Sequence, residues 1–325
     1  MQKIQLLFLF IPFLYSCGEE ESRPDPLTQP PYNKITDSIK RDPKNSDLYY
    51  RRGQMLYDRN QPVFAAKDLR MAWDLRPSEM YALSMVTLLK EKHLDSSTAF
   101  IEGALQKLPG SVSLQVELAK AYHDKGSIDK ALSISDNILN RHPGQLDALL
   151  LKSALLKEGG KHEEALQILE RAYSLSPGDV EIVHTLGFDY AENKNRKVFR
   201  LADSLIAADV EQNHAEPYYF KGIYHYNTGN YKEALRFFDE AIAHDYHFID
   251  AHMSKGMVYY DQKQFKNALE TFRLATKVST KYAPAYYWLG KTEIAMGNKE
   301  AGNMNIQLAS QLDKEYTLSM EATAK

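Results

Sequence analysis

The sequence has almost no cysteine, few helix-breaking residues and no excess of either charge. One cysteine in 325 residues excludes an internal disulfide and any zinc site built from several thiolates. Glycine (16 residues) and proline (13 residues) are sparse, so the chain is not a low-complexity sequence. The 40 basic and 43 acidic residues give a formal net charge of -3, which supplies no basic field for nucleic acid.

A short hydrophobic segment lies at the N-terminus. Lys3 is followed by an apolar stretch from Ile4 to Leu14, which is typical of a secretory signal peptide. The stretch is too short to cross a bilayer, because a membrane-spanning helix needs about 20 apolar residues. The pattern therefore predicts export of the chain and removal of this segment.

The end of this segment resembles a bacterial lipoprotein signal. Leu14-Tyr15-Ser16-Cys17 is similar to the lipobox, in which a branched apolar residue and a small residue precede a cysteine. The resemblance implies cleavage of residues 1–16 and attachment of fatty-acyl chains such as palmitate at Cys17. Two or more acyl chains hold a protein stably on a membrane. The alternative is a plain secretory signal with an incidental cysteine.

Residues 17–31 have the composition of an extended tether. Three glutamates, Glu19 to Glu21, come soon after Cys17, and four prolines lie between Pro24 and Pro31. A proline-rich segment of this kind favours polyproline II. The glutamates resemble a tag for the outer face of the outer membrane, with a solvated linker as the equal alternative. We therefore expect a lipid-anchored outer-membrane protein on either the periplasmic or the surface side.

The rest of the chain repeats with a period of 34 residues. Prolines and glycines recur at this interval, apart from a first spacing of 32, at Pro77, Pro109, Pro143 and Pro177 and then at Gly222, Gly256 and Gly290. The period and the residue types resemble the tetratricopeptide repeat. The unit that starts at Ala215 is among the clearest, with Tyr218, Gly222, Ala234 and Phe238.

The resemblance implies an all-α fold, a right-handed superhelical solenoid of about eight helix-turn-helix repeats. Units start at residues 46, 78, 112, 146, 180, 215, 249 and 283 and make up an array over 46–314. Residues 32–45 are expected to form an N-terminal half-repeat cap, and 315–325 a C-terminal tail. Residues 191–197 are expected to lengthen the inner turn of the fifth unit and to kink the array. Small residues would let the two helices of a unit approach closely, and proline would end the second helix.

No local motif indicates catalysis. The chain has no phosphate-binding glycine loop, no nucleophile elbow and no His-Glu-x-x-His pair. His244, His247 and His252, with Asp245 and Asp250, bunch at one inter-repeat turn, where solvated turn residues are favoured over a metal site. A triad assembled across repeats stays open. We expect a protein that is not an enzyme and has no metal and no cofactor.

Partner binding has better support in the sequence. In the family, positions 2, 5, 9 and 12 of each first helix line a concave groove, and here they are rich in tyrosine and methionine, which suit such a surface. The alternative for any one tyrosine is packing between helices. The predicted groove residues are Tyr50, Tyr57, Tyr219, Tyr226, Met253, Met257, Tyr260 and Tyr287.

One known mode of binding is disfavoured. Chaperone-binding members of the family use lysine and asparagine at positions 5 and 9 of a first helix to clamp two carboxylates. The first unit has Tyr50 and Gln54 there, so an extended or helical segment with apolar anchors fits better.

We expect an adaptor or scaffold that binds envelope proteins in assembly, secretion, motility or cell-wall machinery. The alternatives are a surface capture module for peptide or glycan and, more remotely, an envelope enzyme. The oligomeric state stays open.

Overall fold

The protein is described by a computed structural model that covers residues 26–90, 94–209 and 214–323. These ranges contain eighteen α-helices, one 3-10 helix (Pro26–Thr28) and no strand. The α-helices are α1 (Asn33–Arg41), α2 (Ser46–Asp58), α3 (Pro62–Leu75), α4 (Glu79–Lys90), α5 (Leu94–Lys107), α6 (Val112–Asp124), α7 (Ile128–Arg141), α8 (Leu146–Glu158), α9 (His162–Leu175), α10 (Val180–Glu192), α11 (Lys197–Ala208), α12 (Glu216–Asn227), α13 (Tyr231–His244), α14 (Ile249–Asp261), α15 (Phe265–Val278), α16 (Ala283–Ala295), α17 (Lys299–Leu312) and α18 (Lys314–Thr323).

The even-numbered helices from α2 to α16 are the first helices of eight units, and the odd-numbered helices from α3 to α17 are the second helices. Each first helix begins at, or one residue after, a unit start read from the sequence. In seven of the eight units the first and second helices pack side by side, and in six of these the second helix also packs on the next first helix. The fold is therefore the expected all-α solenoid.

A left-handed residue separates the two helices of a unit. It is the fifteenth residue in seven units, where φ is positive: Asn60, Gly126, Gly160, Lys194, Gly229, Lys263 and Gly297. Glycine adopts this conformation without steric cost and asparagine tolerates it. The equivalent residue of the second unit, 92, lies outside the described ranges. The short inner turn is thus fixed by one backbone conformation, repeated along the chain.

Glycine at the eighth position allows a phenylalanine of the second helix to fill the space between the paired helices. A Cβ added to Gly222 would lie 2.5 Å from the Phe238 ring, and one added to Gly256 would overlap Phe272. Both phenylalanines are fully buried. Any larger residue at these glycines would push the two helices apart.

In the fifth unit, the glycine at the eighth position packs against a phenylalanine from a different helix. α11 begins at Lys197, the eighteenth residue of the unit instead of the seventeenth, so the inner turn is one residue longer. Gly187 of α10 is then contacted by Phe220 from α12, the next first helix. Phe220 is fully buried, so it supplies the aromatic group that the second helix α11 does not supply to this glycine.

The chain divides into two compact units, Met1–Ala131 and Leu132–Lys325, with the boundary inside α7. The first has apolar clusters around Leu56 and Leu69 and around Tyr81 and Ile101. The second has its main cluster between α9 and α14 and further clusters around Phe272 and Tyr287.

A buried ion pair fastens the N-terminal cap to the first repeat. Arg52 donates Nε and Nη2 to both carboxylate oxygens of Asp68, at 2.6 and 2.8 Å, and Nη1 to Thr36 Oγ1 at 2.9 Å. Thr36 in turn donates to the Leu27 carbonyl at 2.6 Å. The last part of the expected tether is therefore folded, with Pro26–Thr28 in a 3-10 helix. Tyr32, the first residue of the expected cap, is buried.

The C-terminal segment is helical too, although the sequence predicted a tail over 315–325. α18 packs against α16 and α17, with Tyr316 edge-on to Tyr287 at 5.9 Å and Thr317 buried. α18 adds one more layer after α17, because the apolar side chains of Tyr316 and Met320 cover Tyr287 and Ala309.

The histidine cluster at the turn before α14 does not converge. His252 is 1% exposed, and its Nε2–H donates to the Tyr246 carbonyl at 2.9 Å. His244 instead stacks on Tyr218 at 4.4 Å. No group of three or more His, Cys, Asp or Glu side chains in the described ranges is arranged to hold a metal ion.

We expect Asp68→Ala to lower the free energy of unfolding of the first compact unit by about 3–5 kcal/mol, because it leaves Arg52 buried without its counter-ion. Asp74→Ala on the same helix is the matched control, since the Arg70–Asp74 pair is exposed and such pairs contribute about 1 kcal/mol or less. Denaturant unfolding followed by circular dichroism measures both. Equal losses would show that the buried pair has no special role.

We also expect stability to fall as the pH is lowered through about 6.5. Burial lowers the pKa of His252 below the ordinary 6.5, and that of His225 in the same direction. The unfolded chain then binds these protons more readily, so acid favours unfolding, by at most about 1.4 kcal/mol per pH unit for each histidine. His252→Asn keeps a donor for the Tyr246 carbonyl and should flatten the slope in a pH series of unfolding curves. An unchanged slope in His252→Asn would contradict the role assigned to this histidine.

Candidate partner-binding surface

The predicted groove residues fall in both compact units, and each set is described within its own unit. Six of them lie in the second unit on three successive first helices: Tyr219, Tyr226, Met253, Met257, Tyr260 and Tyr287. We call the side of α10, α12, α14 and α16 that carries positions 2, 5, 9 and 12 the first-helix face. Its side chains differ sharply in how much of them reaches solvent.

Tyr219 and Met253 form the floor of this face. They are only 7% and 8% exposed, and the Tyr219 ring packs edge-on against Phe248 at 5.0 Å. Its hydroxyl lies 3.3 Å from Ser254 Oγ on α14. Burial raises the pKa of Tyr219 to about 12, so the phenol is neutral. These two residues support the surface more than they offer contact area.

Tyr226, Met257 and Tyr260 are half-buried and form its accessible part. Tyr226 donates to Asp261 Oδ2 on α14 at 2.5 Å, and burial followed by this carboxylate raises the pKa of Tyr226. Tyr260 packs edge-on against Trp288 of α16 at 5.3 Å. Aromatic groups thus lie on α12, α14 and α16, with Tyr226 held by the Asp261 carboxylate and Tyr260 packed on the Trp288 ring.

Tyr287 does not belong to the accessible surface. It is 2% exposed and packs against Tyr316 of α18 and Trp288. The helix that was not foreseen covers the position where a groove contact was predicted. Tyr287 therefore stabilises the C-terminal end of the array and is not open to a partner.

Tyr50 and Tyr57 are half-buried in the first compact unit. The Tyr50 ring lies 5.0 Å from the ring of Tyr81, and its hydroxyl accepts a long bond from Ser84 Oγ at 3.5 Å. Gln54 donates to the same Ser84 oxygen at 2.9 Å. These bonds join α2 to α4, so Tyr50 is partly a packing residue, as the alternative for single tyrosines allowed.

The structure adds two residues on α10 that the sequence analysis did not single out. His184 is exposed, and Phe188 is half-buried. Their rings stack at 6.4 Å, and His184 is also edge-on to Phe220 at 6.0 Å. They occupy positions 5 and 9 of the fifth unit, so applying the same position rule to that unit would have found them.

Asp250 lies at the edge of this aromatic surface. Its carboxylate interacts electrostatically with His184, Tyr219 and Tyr282. The pKa of Asp250 is raised, mainly because neighbouring protein displaces water, while His184 partly opposes the shift. A carboxylate in this setting is incompletely solvated and would be stabilised by a nearby cation.

The described helices give no sign of a membrane span, since none of them is both long and apolar enough to cross a bilayer. Cys17, the expected site of lipid attachment, lies outside the described residues.

Comparison with known proteins identifies the repeat type. Family models described as tetratricopeptide repeat match residues 116–180, 215–248 and 249–282. A tetratricopeptide repeat protein from Parabacteroides merdae has a similar crystal structure, with a TM-score of 0.54 and 18% identity, covering 84% of this chain and 96% of that one. This similarity shows the fold alone.

Sequence relatives cover smaller parts. The chain is 26% identical over 132 residues to the uncharacterized protein y4yS of Sinorhizobium fredii, which is 41% of this chain and 72% of that protein. It is 29% identical over 129 residues to cellulose synthase operon protein C of Xanthomonas axonopodis, which is 38% of this chain but only 8% of that protein. Repeats of this type suggest a scaffold for protein–protein interaction, in which a groove binds a peptide or protein. The chain therefore contains tetratricopeptide repeats over residues 116–180 and 215–282.

Proposed function

We propose that this chain is a lipid-anchored adaptor of the bacterial cell envelope, which binds a partner protein on the first-helix face of its second compact unit. The observation that carries the binding role is the set of half-buried side chains Tyr226 on α12 and Met257 and Tyr260 on α14, with Trp288 of α16 packed against Tyr260. Such side chains combine apolar area with polar tips, as in protein interfaces.

This surface is rigid before any partner arrives. Tyr226 is held by Asp261, and Tyr260 by Trp288, so little side-chain freedom is lost when a partner binds. Met257 lies between these anchors on α14 and can adapt to the shape of an apolar group. The arrangement suits a segment that places apolar side chains against several repeats in succession.

The envelope location rests on the sequence. The apolar stretch before Cys17 and the lipobox-like Leu14-Tyr15-Ser16-Cys17 support export and acylation. The outer membrane is the proposed destination, and the acidic residues after Cys17 leave both faces of that membrane as outcomes of a test. The adaptor would concentrate its partner at the membrane without any catalytic step of its own.

We expect Met257→Ala with Tyr260→Ala to lower recovery of the envelope partner at least about tenfold, because the hot-spot residues of an interface, among which tyrosine is enriched, contribute about 2 kcal/mol or more. The measurement is affinity capture from envelope extracts of the source cells, read by quantitative mass spectrometry. Tyr246→Ala with Met304→Ala is the matched control, since it removes the same residue types from exposed positions, Tyr246 in the turn before α14 and Met304 on α17. Undiminished recovery with the first pair would contradict the assigned surface.

We expect Cys17→Ser to abolish incorporation of an alkyne-labelled fatty acid and to release the protein from the membrane fraction, because no other cysteine can carry the lipid. Fractionation and click labelling measure the two effects. If the wild-type protein is not labelled, the lipid anchor is wrong and the N-terminal segment is a plain secretory signal. Protease treatment of intact cells then tells which side the labelled protein faces, since only a surface-exposed array is cleaved.

A further inference from the structure

We infer that the first-helix face of the second compact unit binds an extended, basic segment of its partner, with positively charged side chains at every third residue. This inference rests on the proposed function and specifies the chemistry of the segment that the adaptor binds. It follows from two observations, the acidic row beside the aromatic surface and the pairing of nearby lysines within the array, together with the usual distance between packed helices.

One acidic residue stands at the second position of each of four successive repeats. These residues begin α8, α10, α12 and α14: Asp147, Glu181, Glu216 and Asp250. Acids in the first turn of a helix are favoured by the helix dipole, so their presence alone does not define a site. Within the described ranges, however, the side chains of Glu181, Glu216 and Asp250 make no hydrogen bond and no ion pair. They stay available to an incoming cation.

The lysines of these first helices, in contrast to the three unpaired acids, form ion pairs within the array. Their ammonium groups turn back to aspartates of the preceding second helices, forming the pairs Lys152–Asp136 (2.6 Å), Lys221–Asp203 (2.6 Å) and Lys255–Asp239 (2.5 Å). Lys157 at position 12 is bound by Asp189 and Glu192. The positive charge of these first-helix lysines is thus paired within the array, whereas the carboxylates at the edge of the aromatic surface are left unpaired.

The acidic row ends at Asp250, because the last repeat has Pro284 at the equivalent position. Lys291 of α16 lies beyond this end and is half-buried. Beside Asp250, the exposed His184 ring and the half-buried Tyr282 ring provide flat surfaces on which an arginine can stack while it pairs with the carboxylate. A guanidinium group can form an ion pair with the Asp250 carboxylate and stack on a neighbouring ring at the same time.

The spacing of the repeats sets the register of the segment. α10 packs on α12, and α12 on α14, and packed helices lie about 8–10 Å apart. An extended chain advances about 3.3 Å per residue, so three residues span one repeat. Positive side chains at every third residue therefore meet Glu181, Glu216 and Asp250 in turn, while the residues between them contact the aromatic groups.

The probe is a blocked nine-residue peptide with arginine at every third position and leucine or alanine elsewhere. Its binding to the full chain, purified in detergent, is measured by fluorescence anisotropy at low and at physiological salt. We expect Glu181→Gln with Glu216→Gln and Asp250→Asn to weaken binding about tenfold or more at low salt and to reduce the salt dependence.

The matched control is Glu163→Gln with Glu164→Gln and Glu300→Gln. These three exposed acids also lie in first turns, but on second helices, so the control removes the same charge and the same dipole interaction. If both triple variants weaken binding equally, the effect comes from the net charge of the protein and not from the acidic row, and the inference is overturned. Equal binding of a peptide with its three arginines adjacent would overturn the register.

The outcomes separate this inference from the proposed function. If an arginine-free leucine peptide binds as tightly as the spaced probe, the basic segment is wrong, yet loss of the envelope partner with Met257→Ala and Tyr260→Ala would still support the adaptor. If the partner is retained by that pair of changes, the adaptor surface itself is wrong, whatever the arginine probe does.

Discussion

The close approach of the two helices within each repeat is the constraint on which the other features depend. Gly222 and Gly256 leave no room for a side chain where the Phe238 and Phe272 rings pack, so the helices meet ring against backbone. This contact fixes the distance between first and second helices, and repetition at 34 residues carries the same distance into the next unit. First helices therefore stand in register, and equivalent positions form rows. The acidic row and the aromatic row are consequences of that register.

The fifth unit keeps the contact between a glycine and an aromatic ring but takes the ring from a different helix. Its second helix begins one residue late, and the ring over Gly187 comes from Phe220 of the following first helix. The glycine contact is kept, although the partner helix has changed. This change of partner goes with direct packing of α10 on α12. His184 lies beside Phe220 and interacts electrostatically with Asp250, and Phe188 stacks on His184. An irregularity in the repeat thus builds part of the candidate binding surface.

The sequence predicted the helices well and the accessible surface only in part, for a physical reason. Helix starts and the glycine and phenylalanine positions follow from contacts within about one period, which a repeat pattern records directly. Tyr287 was assigned to the groove because its position in the repeat is equivalent to that of Tyr219, but α18 covers it, and α18 has no counterpart in the pattern. The Arg52–Asp68 pair was equally invisible, since a charged residue in one repeat gives no sign of a buried partner sixteen residues away.

That buried pair also bears on how an anchored array would be held. Through Thr36 it fixes the 3-10 helix Pro26–Thr28 to α1 and the first repeat, so only nine residues of the expected tether, 17–25, precede this helix. Nine residues span at most about 30 Å when fully extended. If Cys17 carries lipid, as proposed, the first repeat stays close to the membrane while later repeats extend the binding surface along the chain. Replacing the pair with apolar residues could preserve stability, but would lose the bond that orients the chain entering the array.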